Sequence, residues 1–414
     1  MLSPSDILHR CHEWVLQAIP VLGILSFIVQ ENFIEGISIF SLKHIRVEVN
    51  GGRISSVTEG KAEADGTPFL APGFLDIQVN GYRSKDYSAD LNTSQIETLI
   101  RELASSGTTK HFPTIITNGE DRIIKSIRQI VTAKKESTLA GRAIPGIHIE
   151  GPFISPSEGA RGAHDPQYIR PADFKEFLRW QEAAEGAIRI VTVSPENEET
   201  LEFIHNVALT GVIVGIGHTD ASPEMIEKAV DAGARLSTHL GNGSPSLIPR
   251  LKNFIWKQLA EDRLSADFIA DGFHLPPYTL KTFVRCKGPQ KSILVSDVTA
   301  LGGNPPGLYR WGAMTIQVFP DGHLGLRGTE NLAGASHLLD RGVAFLASHS
   351  DLSLPDAVRC VTINPSTLVF LPCWDTDPPV GENTDLVSFT LTGDGIRVNR
   401  VIFYDTILYE SMEG

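Results

Sequence analysis

The chain has 414 residues, of which 42% are hydrophobic and 21% are charged, an ordinary globular composition with room for one large and one smaller domain. Its formal net charge of −13 at pH 7 argues against a nucleic acid or an anionic membrane as partner, since either would need basic patches. The four cysteines form neither a disulfide framework nor a C-x-x-C metal motif, which favours a reducing, cytoplasmic location.

The most apolar stretch near the N terminus, residues 18–29, is too short for a membrane helix. It spans a dozen residues, whereas a transmembrane helix needs about 20. No small-residue cleavage site follows it cleanly, so we expect neither a membrane span nor a signal peptide. Residues 1–40 are assigned no role.

Antiparallel strands are predicted at both ends of the chain. Ile45–Val49 and Ile54–Val57 alternate apolar and polar residues around Asn50-Gly51-Gly52, a hairpin turn signal. Residues 385–390 and 396–404 show the same pattern around a second turn. Strands from the two ends are therefore expected to pair in one small, discontinuous β-sandwich domain.

Between these ends, eight short apolar runs alternate with helix-like segments. Most runs are separated by roughly 20 to 45 residues, the spacing of a (β/α)8 barrel. In chain order they cover 73–79, 109–112, 143–149, 188–193, 212–216, 235–238, 267–270 and 292–296. We predict an α/β protein with a TIM-type barrel at 71–372 and a small β-sandwich domain built from 1–70 and 373–414.

Polar residues stand where several of these runs end. Glu150 closes one run just before a Gly-Pro break, and burying its charge is costly unless a cation or several donors meet it. His218 and His239 follow two later runs. One carboxylate and two imidazoles suit a first-row metal such as zinc, with room for a water. Taken singly, each histidine could instead be a hydrogen-bonded structural residue.

Two aspartates occupy the same position. Asp297 follows the last run, where it could act on a metal-bound water, and Asp271 follows the run before it. Barrel enzymes place their chemistry at the carboxyl ends of the strands. The fold prediction and the site prediction therefore support each other.

Six motifs occur in a fixed order: Pro72-Gly73-Phe74-Leu75-Asp76, His148-Ile149-Glu150-Gly151-Pro152-Phe153, Gly217-His218-Thr219, Thr238-His239-Leu240, Ala270-Asp271-Gly272-Phe273-His274 and Ser296-Asp297. Together they resemble the N-acetylglucosamine-6-phosphate deacetylase family of the amidohydrolase superfamily, over roughly residues 45–400. The resemblance implies a (β/α)8 barrel with a flanking β-sandwich. It also implies hydrolysis of the acetamide of N-acetylglucosamine-6-phosphate to glucosamine-6-phosphate and acetate, in amino-sugar catabolism.

The resemblance implies a role for each strand-end residue. Glu150, His218 and His239 would hold one divalent ion per subunit, with zinc as the first candidate, to acidify a water and polarise the acetamide oxygen. Asp297 would take the proton of that water and return it to the departing amine.

Substrate contacts follow from the same resemblance. His164 and His274 would orient the substrate through its carbonyl and hydroxyl groups. The other implied contacts are Ala163, Asp271, Leu332, Ala333 and Gly334, the last three in a loop resembling the one that closes over the acyl group.

The first barrel strand carries Gln78-Val79-Asn80 where many amidohydrolases have His-x-His for a second metal. Neutral amides are poor metal ligands, so Gln78 and Asn80 are interpreted as a vestigial second-metal position. The alternative, that both residues only cap a strand end, remains open.

The expected phosphate site departs from the family pattern. The family usually has an Asn followed by an Ala-Met pair, with an Arg from the neighbouring subunit, whereas this chain has Gly241-Asn242-Gly243-Ser244-Pro245 and then Arg250. Asn242, Gly243 and Arg250 could still bind phosphate, which also predicts a homodimer. The altered loop leaves open another N-acyl, unphosphorylated or cyclic amide substrate. A non-catalytic relative is disfavoured, because every residue that the chemistry needs is present.

Overall fold

The computed structural model describes residues 33–60, 66–311, 314–328, 332–393 and 395–412. The apolar stretch at 18–29 and Cys11 lie outside these described residues. No helix in the described ranges is both long and apolar enough to cross a membrane.

The first described strands belong to a sheet that both ends of the chain build. They are β1 (Phe33–Ser38), β2 (His44–Asn50), β3 (Arg53–Glu59) and β4 (Phe69–Pro72). β2 and β3 form the predicted hairpin, with Asn50 opposite Arg53. Gly51 and Gly52 of its turn have φ of 57° and 76°, a region that favours glycine.

The next strands form a nearly closed parallel barrel, with a small hairpin after the first of them. They are β5 (Phe74–Val79), the hairpin strands β6 (Gly81–Tyr82) and β7 (Lys85–Asp86), β8 (Thr108–Ile116), β9 (Ile147–Glu150), β10 (Ile188–Val193), β11 (Ile213–Ile216), β12 (Leu236–Ser237), β13 (Ser265–Ile269) and β14 (Ser292–Val295). The barrel order runs from β5 through β8 to β14 in sequence. Each of the eight predicted runs is a barrel strand, and the predicted fold class is confirmed.

The seam between β14 and β5 is closed in two ways. Near the carboxyl ends, Val79 pairs with Val298 in a parallel bridge. At the opposite end the chain at 360–361 lies between the strands, where its carbonyls accept from the N–H groups of Leu75 (2.8 Å) and Leu294 (2.9 Å). The carboxyl ends of β5 and β14 therefore face each other directly across the site described below.

Eight helices follow the barrel strands up to β14. They are α1 (Thr93–Ala104), α2 (Glu120–Glu136), α3 (Thr138–Ala143), α4 (Phe174–Ala183), α5 (Glu198–Leu209), α6 (Pro223–Ala232), α7 (Phe254–Ala260) and α8 (Pro277–Lys287). Several begin at side-chain caps: Asn92 and Gln95 form a capping box on α1, and Asn197 and Ser222 cap α5 and α6. These caps fix where α1, α5 and α6 start.

After β14 the chain makes a three-stranded antiparallel sheet and three more helices. The elements are β15 (Gly307–Trp311), β16 (Met314–Val318), β17 (Leu324–Leu326), α9 (Leu339–His349), α10 (Leu354–Arg359) and α11 (Ile363–Leu368). The sequence analysis did not predict this sheet.

The last strands, β18 (Asp385–Thr392), β19 (Gly395–Phe403) and β20 (Thr406–Glu410), complete the terminal sheet in the order β20-β19-β18-β4-β1-β2-β3. Its two sides are tied together, because Ile54 N–H donates to Glu382 O and Thr384 N–H donates to Gly52 O, both at 2.9 Å. One apolar cluster lies within it: Ile34, Ile45, Val47, Ile54, Leu70, Leu386 and Ile402. Where the sequence predicted a small β-sandwich built from both termini, the structure has one seven-stranded sheet to which both ends of the chain contribute, with its own core.

Candidate active site

Four strand-end residues meet at one mouth of the barrel. Glu150 is the last residue of β9, while His218, His239 and Asp297 lie two residues beyond β11, β12 and β14. These last three have φ of 48°, 30° and 49°. Left-handed backbone at a non-glycine residue costs about 1–3 kcal/mol, and such strain is concentrated at functional sites. Three strained residues in equivalent positions mark this mouth as the candidate active site.

Glu150, His218 and His239 converge on one point. Glu150 Oε1 lies 2.9 Å from His239 Nε2 and 3.2 Å from His218 Nε2. The two imidazole nitrogens are 3.1 Å apart. All three residues are buried, so the cluster is shielded from bulk water.

His164 belongs to the same cluster, although the sequence predicted it only as a substrate contact. Its Nε2 lies 3.2 Å from His218 Nε2 and 4.0 Å from Glu150 Oε2. Glu150, His164 and His218 each offer one ligand atom within 4.8 Å of the others, the spacing of a potential metal site.

The hydrogen bonds of the outer ring atoms support a cation in this cluster. His218 Nδ1 lies 2.9 Å from Ala160 O, which can only accept, so Nδ1 carries a proton and the neutral ring presents the lone pair of Nε2 to the cluster. His164 Nδ1 lies 2.7 Å from Thr117 Oγ1. Lone pairs directed at one another repel unless a cation lies between them. Tetrahedral ligands at 2.0–2.1 Å from zinc are about 3.4 Å apart, close to the observed separations. The residues therefore fit a divalent metal ion.

Electrostatics favours the metal-binding forms of Glu150 and His164 but not that of His239. Burial would raise the pKa of Glu150, yet hydrogen bonds from His218 and His239 hold it well below its ordinary value. Burial lowers the pKa of His164 to about 3, with help from His218. An ionised carboxylate and a neutral imidazole are the metal-binding states of these groups. Burial would lower the pKa of His239, yet its hydrogen bond and charge interaction with Glu150 raise it to about 9, so metal binding there must displace a proton.

Asp297 lies beside the cluster and is held by an amide. Its Oδ1 accepts from Asn80 Nδ2 at 2.7 Å. Burial and the negative charge of Glu150 raise the pKa of Asp297 to about 6. A carboxylate with a pKa near neutrality suits general base catalysis, because it both accepts and returns a proton readily.

Gln78 and Asn80 each donate to one of the carboxylates. Gln78 Nε2 donates to Glu150 Oε1 at 2.8 Å, as Asn80 does to Asp297. The carbonyl oxygens of both amides are buried and have no partner among the described residues. These contacts orient the carboxylates, a role that neither sequence interpretation of this pair included.

Asp271 and His274 form a compact turn after β13. Asp271 Oδ2 lies 2.7 Å from His274 Nδ1, while its Oδ1 accepts from the N–H groups of Phe273 (2.8 Å) and His274 (2.9 Å). Burial would raise the pKa of Asp271, but its bonds with His274 and the turn lower it to about 2. The carboxylate therefore stays ionised and fixes the His274 ring.

Two of the predicted substrate loops pack against residues of the site or beside them. Gly243 packs on His218, where an added Cβ would lie 2.7 Å from Nδ1, and Asn242 N–H donates to His239 O at 2.9 Å. The loop containing Leu332, Ala333 and Gly334 meets the chain after Asp297, since a Cβ at Gly334 would lie 2.4 Å from Thr299. Ala163 is exposed next to His164.

Arg250 makes no side-chain contact with the cluster among the described residues. Its side chain is exposed and makes no ion pair with the described residues, and only its carbonyl is bonded, by Trp256 Nε1 at 3.3 Å. Leu247 and Leu251 beside it are 89% and 77% exposed. This segment presents a cation and two large apolar side chains to the surroundings.

Two buried carboxylates were given no role by the sequence analysis. Asp267 accepts from the backbone N–H of His239, and Asp76 accepts from that of Ser296 at 3.3 Å. Burial raises the pKa of each to about 7. Each thus supports a strand end beside a site residue. The available signal was an ionisable residue inside an otherwise apolar run.

Comparison with known proteins places these features in context. No protein-family model matches the chain. It is 31% identical over 358 residues to the N-acetylglucosamine-6-phosphate deacetylase of Bacillus subtilis, covering 84% of this chain and 89% of that protein. It is 28% identical over 345 residues to an N-acetylgalactosamine-6-phosphate deacetylase of Shewanella, covering 80% and 84%.

A solved structure shares the whole architecture. It is a mutant of the N-acetyl-D-glucosamine-6-phosphate deacetylase of Mycobacterium smegmatis in complex with N-acetyl-D-glucosamine-6-phosphate. The TM-score is 0.79 at 27% identity, and the alignment covers 90% of this chain and 97% of the other.

Proposed function

Because this chain belongs to the N-acetylglucosamine-6-phosphate deacetylase family, we propose that it hydrolyses the acetamide of N-acetylglucosamine-6-phosphate to glucosamine-6-phosphate and acetate. The observation that carries the proposal is the buried cluster of Glu150, His218, His239 and His164 with Asp297 beside it. It combines a metal-binding set with a general base, the two parts that hydrolysis of an unactivated amide requires.

We assign one divalent ion to Glu150, His218 and His239, with zinc as the first candidate. Three protein ligands of nitrogen and oxygen are the usual set of a catalytic zinc site, which keeps one position for water. When bound, the ion would supply an acidified water and polarise the acetamide oxygen. His164 is the competing third ligand, since its Nε2 lies 3.2 Å from His218 Nε2, against 3.1 Å for His239 Nε2.

Proton transfer is assigned to Asp297. Asn80 occupies one of its oxygens, so the other oxygen can accept a proton from the attacking water. The same group then returns the proton to the amine nitrogen as the C–N bond breaks. His274, fixed by Asp271, would hold the substrate by a hydrogen bond from its other ring nitrogen.

The phosphate is assigned to Asn242, Gly243 and Arg250. Asn242 Nδ2 is buried without a partner among the described residues, so a donor is available beside the cluster. Arg250 makes no ion pair with the described residues of its own chain, and the exposed Leu247 and Leu251 suit contact with a second copy. A homodimer in which Arg250 reaches the partner's site satisfies both features.

Free thiols at the described cysteines, Cys286, Cys360 and Cys373, support the cytoplasmic assignment.

The second candidate is another N-acyl substrate. The Shewanella relative is named for the N-acetylgalactosamine phosphate, which differs at one hydroxyl, and it matches this chain at 28% identity. The altered loop at 241–245 is also compatible with an unphosphorylated or cyclic amide as the substrate.

Comparing substrates tests the proposal. N-acetylglucosamine-6-phosphate should be cleaved roughly tenfold to more than a hundredfold better than N-acetylglucosamine in kcat/KM, since a lost charge-assisted contact costs about 1.5–3 kcal/mol. Arg250→Ala should slow only the phosphorylated sugar. Equal rates on both sugars would reject the phosphate assignment, and faster cleavage of N-acetylgalactosamine-6-phosphate would favour the second candidate.

A further inference from the structure

The three-stranded sheet β15–β17 touches the turn that carries Asp271 and His274. The contact is an aromatic stack, defined here as Phe319, His323, Phe273 and His337. Phe319 and His323 belong to the turn between β16 and β17, whereas Phe273 belongs to the site turn.

The rings of this stack are close and nearly parallel. Phe319 and His323 have centroids 4.0 Å apart at 8°, and His323 and Phe273 are 5.0 Å apart at 29°. His337 covers the Phe273 ring from 5.6 Å at 18°. Asp321 Oδ1 lies 2.6 Å from His323 Nδ1 and thereby orients the His323 ring.

Phe273 cannot move independently of the site turn. Its backbone N–H donates to Asp271 Oδ1, the same oxygen that accepts from His274 N–H. Arg341 adds a second link, because its Nε donates to Asp271 O at 3.3 Å and its guanidinium lies 5.7 Å from the Phe273 ring. The stack therefore constrains the backbone from which His274 projects.

The same hairpin also holds the loop expected to close over the acyl group. Ala333 N–H donates to Leu324 O at 3.0 Å, and Leu332 forms an antiparallel bridge with Gly325. One hairpin thus contacts both the site turn and the 332–334 loop.

We propose that His323 and Phe273 are positioning residues, which act through His274 by holding the site turn against the β16–β17 hairpin. The inference deepens the proposed function and rests on it, since His274 contacts substrate only in that reaction. Neither His323 nor Phe273 touches the metal-binding cluster. Substitution of either residue should therefore raise KM and leave the metal content of the protein unchanged.

A double-mutant cycle tests this proposal. His323→Leu removes the stacking ring, whereas His323→Phe keeps it. The Leu variant should lower kcat/KM for N-acetylglucosamine-6-phosphate about two- to tenfold, mainly through KM, and the Phe variant should stay near wild type. In a His274→Ala background His323→Leu should have no further effect, because the two changes act through one group. His205→Leu on α5, a surface His for which the described residues show no ring contact, is the matched control.

Hydrogen exchange gives a readout that does not depend on activity. The amides of Phe273 and His274 should exchange faster in His323→Leu than in His323→Phe or in the control. Additive losses in the cycle, or equal exchange in all three variants, would overturn the proposal. A wild-type protein that does not cleave the sugar phosphate would reject the proposed function instead, and exchange alone would then decide whether the stack orders the turn.

Discussion

Asp297 is the residue whose removal should separate chemistry from metal binding. Asp297→Asn keeps the shape of the side chain but cannot accept a proton, so turnover should fall by at least ~10²-fold. Metal content should hardly change, because the carboxylate is bonded to Asn80 rather than to Glu150 or the histidines. Steady-state kinetics and elemental analysis of the same preparation check both expectations. Near-normal turnover would remove Asp297 from the mechanism.

The third metal ligand can be decided by comparing two histidines. Elemental analysis of the wild type should find close to one divalent ion per chain, since the amides of Gln78 and Asn80 bind the carboxylates and not a second ion. His239→Asn should lose the ion, whereas His164→Asn should retain it and lose turnover. The opposite result would assign His164 to the metal, and two ions per chain would contradict the single-metal prediction.

Residues that project from strand ends could be predicted, whereas residues that depend on loop folding could not. Glu150, His218 and His239 were found because parallel strands end at a common edge, and their side chains do meet there. His164 reaches the cluster only because the segment after β9 folds back over it. The Ala160 carbonyl that fixes the ring proton of His218 is a backbone group, so no sequence pattern could identify it.

The contact between the barrel and the terminal sheet depends on Asp385 at the start of β18. Asp385 Oδ1 accepts from Thr109 Oγ1 at 2.7 Å, and Asp385 also pairs with Lys110 of β8. Asp385→Ala should reduce the free energy of unfolding by about 1–3 kcal/mol, because it leaves a partly buried ammonium without its partner. Asp405→Ala, which breaks an exposed pair with Arg142, should change it by less than about 1 kcal/mol. Urea denaturation of both variants makes the comparison, and equal losses would contradict this account.

We expect Lys287, at the end of α8, to make the free energy of unfolding depend on pH in the alkaline range. Its Nζ donates to the carbonyls of Gln258 (3.2 Å) and Glu261 (2.8 Å) at the end of α7. Burial, together with Lys291, lowers its pKa to about 8 from 10.5. Between these values the unfolded chain binds more protons than the folded one, so this group makes stability increase as pH rises from about 8 to 10.5.

Urea unfolding of the wild type and of Lys287→Met at pH 7, 8.5 and 10 measures this effect. The difference in free energy of unfolding should move in favour of the wild type as the pH rises. A difference that does not change with pH would show that Lys287 titrates alike in both states.

Apolar runs that recur at a regular spacing were predictable, whereas strands that mix polar and apolar residues between them were not. Each barrel strand forms an apolar run, and the caps at Asn92 and Ser222 define helix starts. The strands of the sheet β15–β17 form no such apolar run, because polar residues such as Arg310, Thr315 and Gln317 interrupt them.

At the scale of the whole molecule, the sequence predicts a homodimer, a property that involves more than the single chain described above. Light scattering should find a dimer, and Leu247→Glu with Leu251→Glu should dissociate it, since both side chains are largely exposed beside Arg250. The dissociated protein should lose its preference for the phosphorylated sugar. A fully active wild-type monomer would mean that Arg250 acts in its own chain or has no role in binding.

The order of strands in the terminal sheet also determines how long β4 lacks its partner strand while the chain is being synthesised. β4 pairs with β18, yet more than 300 residues separate them. At about 5–20 residues per second, a ribosome needs on the order of 15–60 s to deliver that partner. Throughout this interval one edge of β4 exposes unpaired backbone N–H and C=O groups, which can pair with a strand of another chain. The barrel is synthesised within the same interval, and we expect it to be the first unit to fold, with the terminal sheet closing as the last strands emerge.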